Sequence, residues 1–212
     1  MQIKVLRSPT TTRPIIRQIE ANGLRAVVKD FSVNGFVYRN MFGRLLVWRE
    51  SRAYRRLAGL RGVPHLYGVI NGLALVMEEI PGRSLEKLEK ETPLPPSFFD
   101  SMEKLITRCH GRGIAHCDLK RAPNTMLGPE GEPYLIDWAA SISESECSLP
   151  LLRRIYRRFL LDDYQAVTKL KLRHVPESVG IEEWKRYRRK SRAEKIIRSV
   201  RDRLRSLLQH VA

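Results

Sequence analysis

Residues 110–138 read HGRGIAHCDLKRAPNTMLGPEGEPYLIDW, and the fold is decided there. The stretch opens where an apolar, helix-like run is punctuated by His110-Gly-Arg-Gly, and it closes on Tyr134-Leu-Ile followed by Asp137. Between them lie His116, Asp118, Lys120 and Asn124, with Asp137 thirteen residues beyond Asn124. One polar cluster at a helix end and another at a strand end supply what phosphoryl transfer needs. That is an acceptor base, a cation against phosphate charge, and oxygen ligands for Mg²⁺. A lone His-x-Asp carries almost no information; the combined set does.

The set resembles the catalytic and metal-binding loops of the protein-kinase-like superfamily, whose pattern is H-x-D-L-x-x-x-x-N followed by Asp-aromatic-Gly. The resemblance implies roles. Asp118 accepts the hydroxyl proton of the acceptor and orients it, and Lys120 neutralises the γ-phosphate. Asn124 and Asp137 hold Mg²⁺, and His116 is a structural hydrogen-bonder. Asp-Leu-Lys is the form of Ser/Thr rather than Tyr kinases. Three departures stand out. Asp118 to Asn124 is six residues instead of five, so Arg121-Ala-Pro123 must bulge. Cys117 replaces the arginine that reads a phosphorylated activation loop, and Trp138-Ala139 replaces Phe-Gly. The last two imply an enzyme without activation-loop control.

At 212 residues the chain can bury a real core in one or two small domains. Its 42% hydrophobic and 8% aromatic content excludes a wholly disordered chain. No run of 18 or more apolar residues spans a bilayer, and the N-terminus lacks a signal-peptide h-region. Cys109, Cys117 and Cys147 lack C-x-x-C spacing and read as reduced thiols. These features point to a cytoplasmic protein. The net charge of +16 implies a polyanionic neighbour, either nucleic acid or an anionic membrane face, or else a basic solvated surface.

Toward the N-terminus, residues 2–6 alternate weakly as a first strand, and 14–19 and 24–31 read as a hairpin turned at Glu20–Gly23. Lys29 follows Ala-Val-Val as the phosphate-binding lysine follows Val-Ala-Ile in kinases. Taken alone a strand lysine is more often merely solvated; the downstream set of polar residues turns the reading to phosphate binding. Residues 44–60 predict a helix with Leu46, Glu50, Ala53, Tyr54 and Leu57 on one face. Glu50 thus falls in an apolar stripe, where an unpaired carboxylate is costly. A pair with Lys29 relieves that cost. Arg49, Arg52, Arg55 and Arg56 point elsewhere. Where kinases carry a Gly-rich loop this chain has Arg7-Ser-Pro-Thr-Thr-Thr-Arg13. That segment is open to two readings: a phosphate cradle with Arg7 or Arg13 adding charge, or a flexible linker.

Residues 69–77 predict a strand pair turned at Asn71-Gly72, and Met77–Gly82 resembles a kinase hinge. There the backbone carbonyl of Glu78 and N–H of Ile80 would hold adenine. Residues 97–112 predict a second amphipathic helix. After Asp137, Ser141–Ser148 reads as a short polar loop and 151–172 as a helix. On that helix, Asp162 and Asp163 read as surface acids, with bracing of the catalytic loop as the alternative. Residues 181–212 carry 11 Lys/Arg against 4 Asp/Glu and an apolar stripe of Ile196, Ile197, Val200, Leu204, Leu207 and Leu208. Such a segment lies on an anionic membrane, binds RNA, or packs on the body with its arginines solvated.

The expectation is an α+β, bilobal protein-kinase-like fold: a small antiparallel-sheet lobe with one helix (1–80), a reduced, mainly helical lobe (81–174) and a basic extension (175–212). Size, the missing Gly-rich loop and the truncated activation region most resemble bacterial RIO-like and lipopolysaccharide-core kinases. The resemblance implies ATP and Mg²⁺, with a protein Ser/Thr hydroxyl as acceptor. An alternative acceptor is a core sugar of a glycolipid at the inner membrane face. An alternative of another class is an inactive kinase-like scaffold that binds a polyanion.

Overall fold

Alternation and turn chemistry build the first half of the molecule. The computed structural model describes residues 2–21, 23–88, 91 and 93–188. β1 (Gln2–Arg7), β2 (Ile15–Ala21) and β3 (Leu24–Asp30) run antiparallel, with Ile16 opposite Lys29 and Gln18 opposite Val27. β4 (Leu66–Ile70) and β5 (Ala74–Glu78) complete a five-stranded sheet in the order β1-β2-β3-β5-β4. Asn71 (φ 51°) and Gly72 (φ 67°) both take the left-handed conformation that a tight hairpin turn demands. With helices over this sheet and beyond it, the fold is α+β.

The helix expected at 44–60 runs over Arg44–Arg56 as α2, and helical backbone begins already at α1 (Phe36–Tyr38). A π-turn at Arg39–Gly43 joins the two. Such a turn adds a residue and shifts the apolar phase, so 36–43 lacks the period that marks 44–56. Gly59, at φ 76°, ends the segment before residue 60.

The second half is mainly helical. β6 (Arg83–Ser84) and α3 (Leu85–Leu88) lead to α4 (Pro96–Gly111), which starts on an extended Pro95 with Pro96 in the first turn. β7 (Ile114–Ala115), β8 (Thr125–Leu127), β9 (Pro133–Leu135) and β10 (Ile142–Ser143) follow. They form a β6-β8-β9 sheet and a β7–β10 pair. α5 (Pro150–His174) and α6 (Ile181–Arg188) close the described chain. The stripe and arginines expected at 192–208 lie outside the described residues.

The core is continuous. Phe98, Phe99, Met102, Leu105, Ile106 and Cys109 of α4 are buried with Ala166, Val167 and Leu170 of α5. The same cluster takes in Val47, Tyr54 and Leu57 of α2 and Leu75 and Met77 of β5. Two backbone approaches reinforce it: Leu135 N–H donates to the Gly62 carbonyl at 2.8 Å, and Gly82 sits against the Leu127 carbonyl with no room for a Cβ. Residues 141–148 are not the plain polar loop expected. Ile142–Ser143 pairs with Ile114–Ala115, and Ser143 and Glu146 form a capping box around Glu144–Glu146.

Candidate active site

Three elements bring one lysine and two carboxylates together. Lys29 of β3 places Nζ 2.8 Å from Glu50 Oε2 of α2 and 2.6 Å from Asp137 Oδ1, which follows β9. Lys29 and Glu50 are buried, so the lysine is not a solvated strand residue. Burial opposes its charge, but Glu50 and Asp137 together outweigh burial and raise its pKa above the ordinary lysine value. Lys29, ahead of the opposing burial, holds the Asp137 carboxyl below its usual range. For Glu50 burial wins over the lysine, and its carboxyl is pushed up to about 7.

A short turn brings the next pair together. Residues 122–124 form a 3₁₀ turn, which absorbs the extra residue between Asp118 and Asn124. Asn124 Nδ2 donates to the Asp118 carbonyl at 3.0 Å and to Asp118 Oδ2 at 3.3 Å, while its own carbonyl accepts from Ile136 N–H at 3.0 Å. Asn124 is thereby tied to both Asp118 and the residue before Asp137. With its amide NH₂ spent on Asp118, Asn124 offers only its side-chain oxygen to a cation, and Asp137 offers the oxygen not on Lys29. Among the described residues no three His, Cys, Asp or Glu cluster as a cation cage. One carboxylate plus one amide oxygen fits Mg²⁺, which keeps waters and phosphate oxygens in its shell.

The loop that carries His116, Cys117 and Asp118 is held by a residue that the sequence reading left as a surface acid. Asp163 of α5 is 2% exposed. Its carboxylate accepts from His116 N–H (2.7 Å) and Cys117 N–H (2.9 Å), with His110 Nε2 3.0 Å away. Cys117 has φ 67° and Asp137 φ 64°, both left-handed and non-glycine. Each such residue costs roughly 1–2 kcal/mol. Hydrogen bonds to a charged acceptor are worth about 1.5–3 kcal/mol each, enough to hold the loop in that shape. His116 fills the structural role expected of it. Nε2 faces the Ile136 carbonyl at 3.0 Å, Nδ1 accepts from Asp118 N–H at 3.4 Å, and its ring lies 4.4 Å from that of Trp138. Trp138 is fully buried, with Nε1 donating to the Leu135 carbonyl, so the position that replaces Phe-Gly is locked.

The remaining residues of the expected site take these places. Lys120 is part-buried in the turn after Asp118 and engaged with a neighbour. Glu78 ends β5: its N–H donates to the His65 carbonyl, and its Oε2 accepts from His65 N–H at 2.9 Å. Ile80 is buried and its carbonyl accepts from Gly82 N–H at 2.8 Å, so a tight turn follows the strand end. The 7–13 segment is tethered. Asn34 Nδ2 donates to the carbonyls of Thr10, Thr11 and Arg13, and the Tyr38 hydroxyl donates to that of Thr12. Burial lowers the pKa of Arg7, Asp137 pulls it back up, and Arg13 and Arg121 lower it further. Arg13 and Arg121 therefore lie near Arg7, and Arg7 and Arg121 lie near Asp137.

The arginines of α2 reach the segment beyond Asp137. Arg49 Nη2 donates to the Ser141 carbonyl at 2.7 Å, and Glu146 stands 3.6 Å from Arg49 and 3.4 Å from Arg52. Arg56 Nε donates to the Arg112 carbonyl at 2.6 Å. Sequence reasoning missed these contacts because spacing shows which face a side chain takes, not what stands opposite.

A family model described as the RIO domain matches residues 30–159, more than half of the chain. No curated protein matches it.

Proposed function

The chain belongs to the RIO-domain family of protein-kinase-like atypical kinases, and from that premise we propose that it transfers the γ-phosphoryl of ATP to a Ser or Thr hydroxyl of a protein. The observation that carries this reading is the meeting of Lys29 with Glu50 and Asp137, beside the Asp118–Asn124 pair. Lys29, oriented by Glu50, grips the phosphates nearest the sugar. Arg7 and Lys120 neutralise charge on the transferred group, and the adenine edge hydrogen-bonds the backbone carbonyl of Glu78 and N–H of Ile80. Asn124 and Asp137 would hold Mg²⁺, which would supply charge neutralisation to the phosphates. Asp118 accepts the acceptor's hydroxyl proton as the new O–P bond forms and the bond to the β-phosphate oxygen breaks, leaving ADP. Catalysis rests on positioning and charge neutralisation.

In this reading residues 1–80 are the nucleotide-covering lobe, 81–174 the lobe that carries the catalytic loop, and 175–212 a basic extension. The protein works in the cytoplasm. A second acceptor class is favoured by one observation: 141–148 folds back on α2 and β7 instead of extending as a peptide-docking segment. A sugar hydroxyl of an anionic glycolipid suits such a short segment.

The test is transfer of radiolabelled γ-phosphate with Mg²⁺ by wild type and Asp118→Asn, using a generic protein acceptor and a detergent-solubilised lipopolysaccharide. Loss of the base lowers transfer roughly 10²–10⁴-fold. Label on one acceptor alone selects the class. No label on either, with no ATP-induced rise in melting temperature, leaves the inactive polyanion-binding scaffold as the reading.

A further inference from the structure

The geometry points to a second functional surface, on the solvent side of the helix that carries Glu50: the outer face of the helical segment 36–48 docks on an anionic lipid bilayer. Phe36, Val37, Met41, Leu45 and Trp48 are each about half exposed or more, with Phe36 at 71% and Met41 at 63%. Leu45 and Trp48, three apart, share one side of α2, and Val37 and Met41 add exposed apolar groups on the α1 and π-turn segment that leads into it. The inner side is spent: Val47, Glu50, Ala53 and Tyr54 are buried. What remains outside is an apolar ridge roughly 20 Å long, at about 1.5 Å per residue.

The rim of the ridge is mainly cationic, with Glu146 facing Arg52 at one end. No Asp or Glu occurs between residues 31 and 49, and Glu50 is buried against Lys29. The Arg39 guanidinium lies 5.4 Å from the Phe36 ring centroid and that of Arg52 4.7 Å from the Trp48 ring. Arg44 and Arg55 stand at a shallow groove floored by Val47, Trp48 and Val69. An apolar ridge bordered by Arg39, Arg44, Arg52 and Arg55 matches a surface that is apolar inside and anionic at its face. That is how interfacial helices sit, with aliphatic and aromatic groups among acyl chains and cationic heads at phosphate level. A tryptophan at the border adds to this fit. The basic tail of this chain is a poor occupant by charge, because residues 181–212 carry 11 Lys/Arg against 4 Asp/Glu. It shares the sign of the rim.

The test is co-sedimentation of the full chain with vesicles of phosphatidylcholine alone, or mixed with phosphatidylglycerol. The variants are Met41→Ser/Leu45→Ser/Trp48→Ser for the ridge and Arg44→Gln/Arg55→Gln for the rim. All five positions are exposed and lie outside the cleft, and unchanged thermal melting verifies the fold. Wild type binds the mixed vesicles and hardly binds the neutral ones. The ridge variant loses binding tenfold or more, and each rim arginine accounts for about fivefold. Quenching of tryptophan emission by brominated lipid, reduced in Trp48→Phe while binding persists, places the ridge in the acyl region. Three outcomes overturn the proposal: no binding of wild type to anionic vesicles, unchanged binding of the ridge variant, or ridge substitutions that alter self-association and leave vesicle binding intact. None of these readouts depends on phosphoryl transfer.

Discussion

Glu50 and Asp163 are the same kind of residue met twice. Each is an acid on the apolar stripe of a helix, where burial is tolerable only with partners. The stripe argument selected Glu50 because Lys29 was a visible partner. Asp163 lies on an equivalent line through Tyr156, Leu160, Val167 and Leu170, but its partners are backbone N–H groups, which no side-chain pattern advertises. Asp163→Ala orphans two buried donors and releases the left-handed Cys117. It should cost about 3–5 kcal/mol in chemical denaturation and lower phosphotransfer by moving Asp118. An unchanged unfolding midpoint would remove Asp163 from the site. Glu50 makes a prediction in pH. Because its folded pKa of about 7 exceeds the ordinary 4.5, the folded state keeps a proton that the unfolded chain releases. Stability attributable to Glu50 therefore falls as pH rises from about 4.5 to about 7, by on the order of 3 kcal/mol. Lys29 and Asp137 do not cancel this. The raised Lys29 contributes fully below the ordinary lysine pKa, and the lowered Asp137 loses its contribution only as pH falls below the ordinary aspartate value. Urea unfolding of nucleotide-free protein across that window should be steeper in pH for wild type than for Glu50→Gln. Parallel curves would refute the assignment.

Among the elements, strands and turns were the most legible, because period-two alternation and an Asn-Gly turn are local signals that tertiary packing does not alter. The helical lead-in at 36–43 was not, since its π-turn interrupts the apolar period. Nor was the attachment of 141–148 to α2, which depends on groups nearly a hundred residues apart. That attachment has a use. Glu146 accepts from Ser143 N–H at 3.2 Å while facing Arg49 and Arg52, so a carboxylate built into the chain ties the helix bearing Glu50 to the segment after Asp137. The side chains are partly solvated, so Glu146→Gln should cost at most about 1 kcal/mol in stability. The looser α2 should raise KM for ATP roughly threefold to tenfold, as expected when a positioning contact is lost. Steady-state kinetics decide it: an unmoved KM would leave Glu146 a structural residue only.

At the scale of the molecule, one buried cluster runs from Leu75 of the sheet through Val47 and Leu57 of α2 to Phe99 of α4 and Leu170 of α5. The cleft residues hang from every part of it: Lys29 on the sheet, Glu50 on α2, Asp118 on the loop after α4, braced by α5. That a five-stranded antiparallel sheet comes first and a mainly helical half follows was legible from the order of strand and helix patterns. The joining of their cores was not, because Gly62 and Gly82 are read as turn residues until the backbones they touch are known. A shared core predicts that the described body unfolds as one cooperative unit, and that nucleotide stabilises all of it at once. At about a hundredfold excess over Kd, Mg·ATP should add about 2.7 kcal/mol. For a chain of this length that shifts the melting temperature by about 5–10 °C. Calorimetry should record a single transition that moves as a whole, and Lys29→Met should abolish most of the shift by removing the residue that links the sheet to the phosphates. Two transitions, of which ATP moves only one, would mean that the lobes fold independently and that the Lys29–Glu50–Asp137 contact is made by docking rather than by a common core.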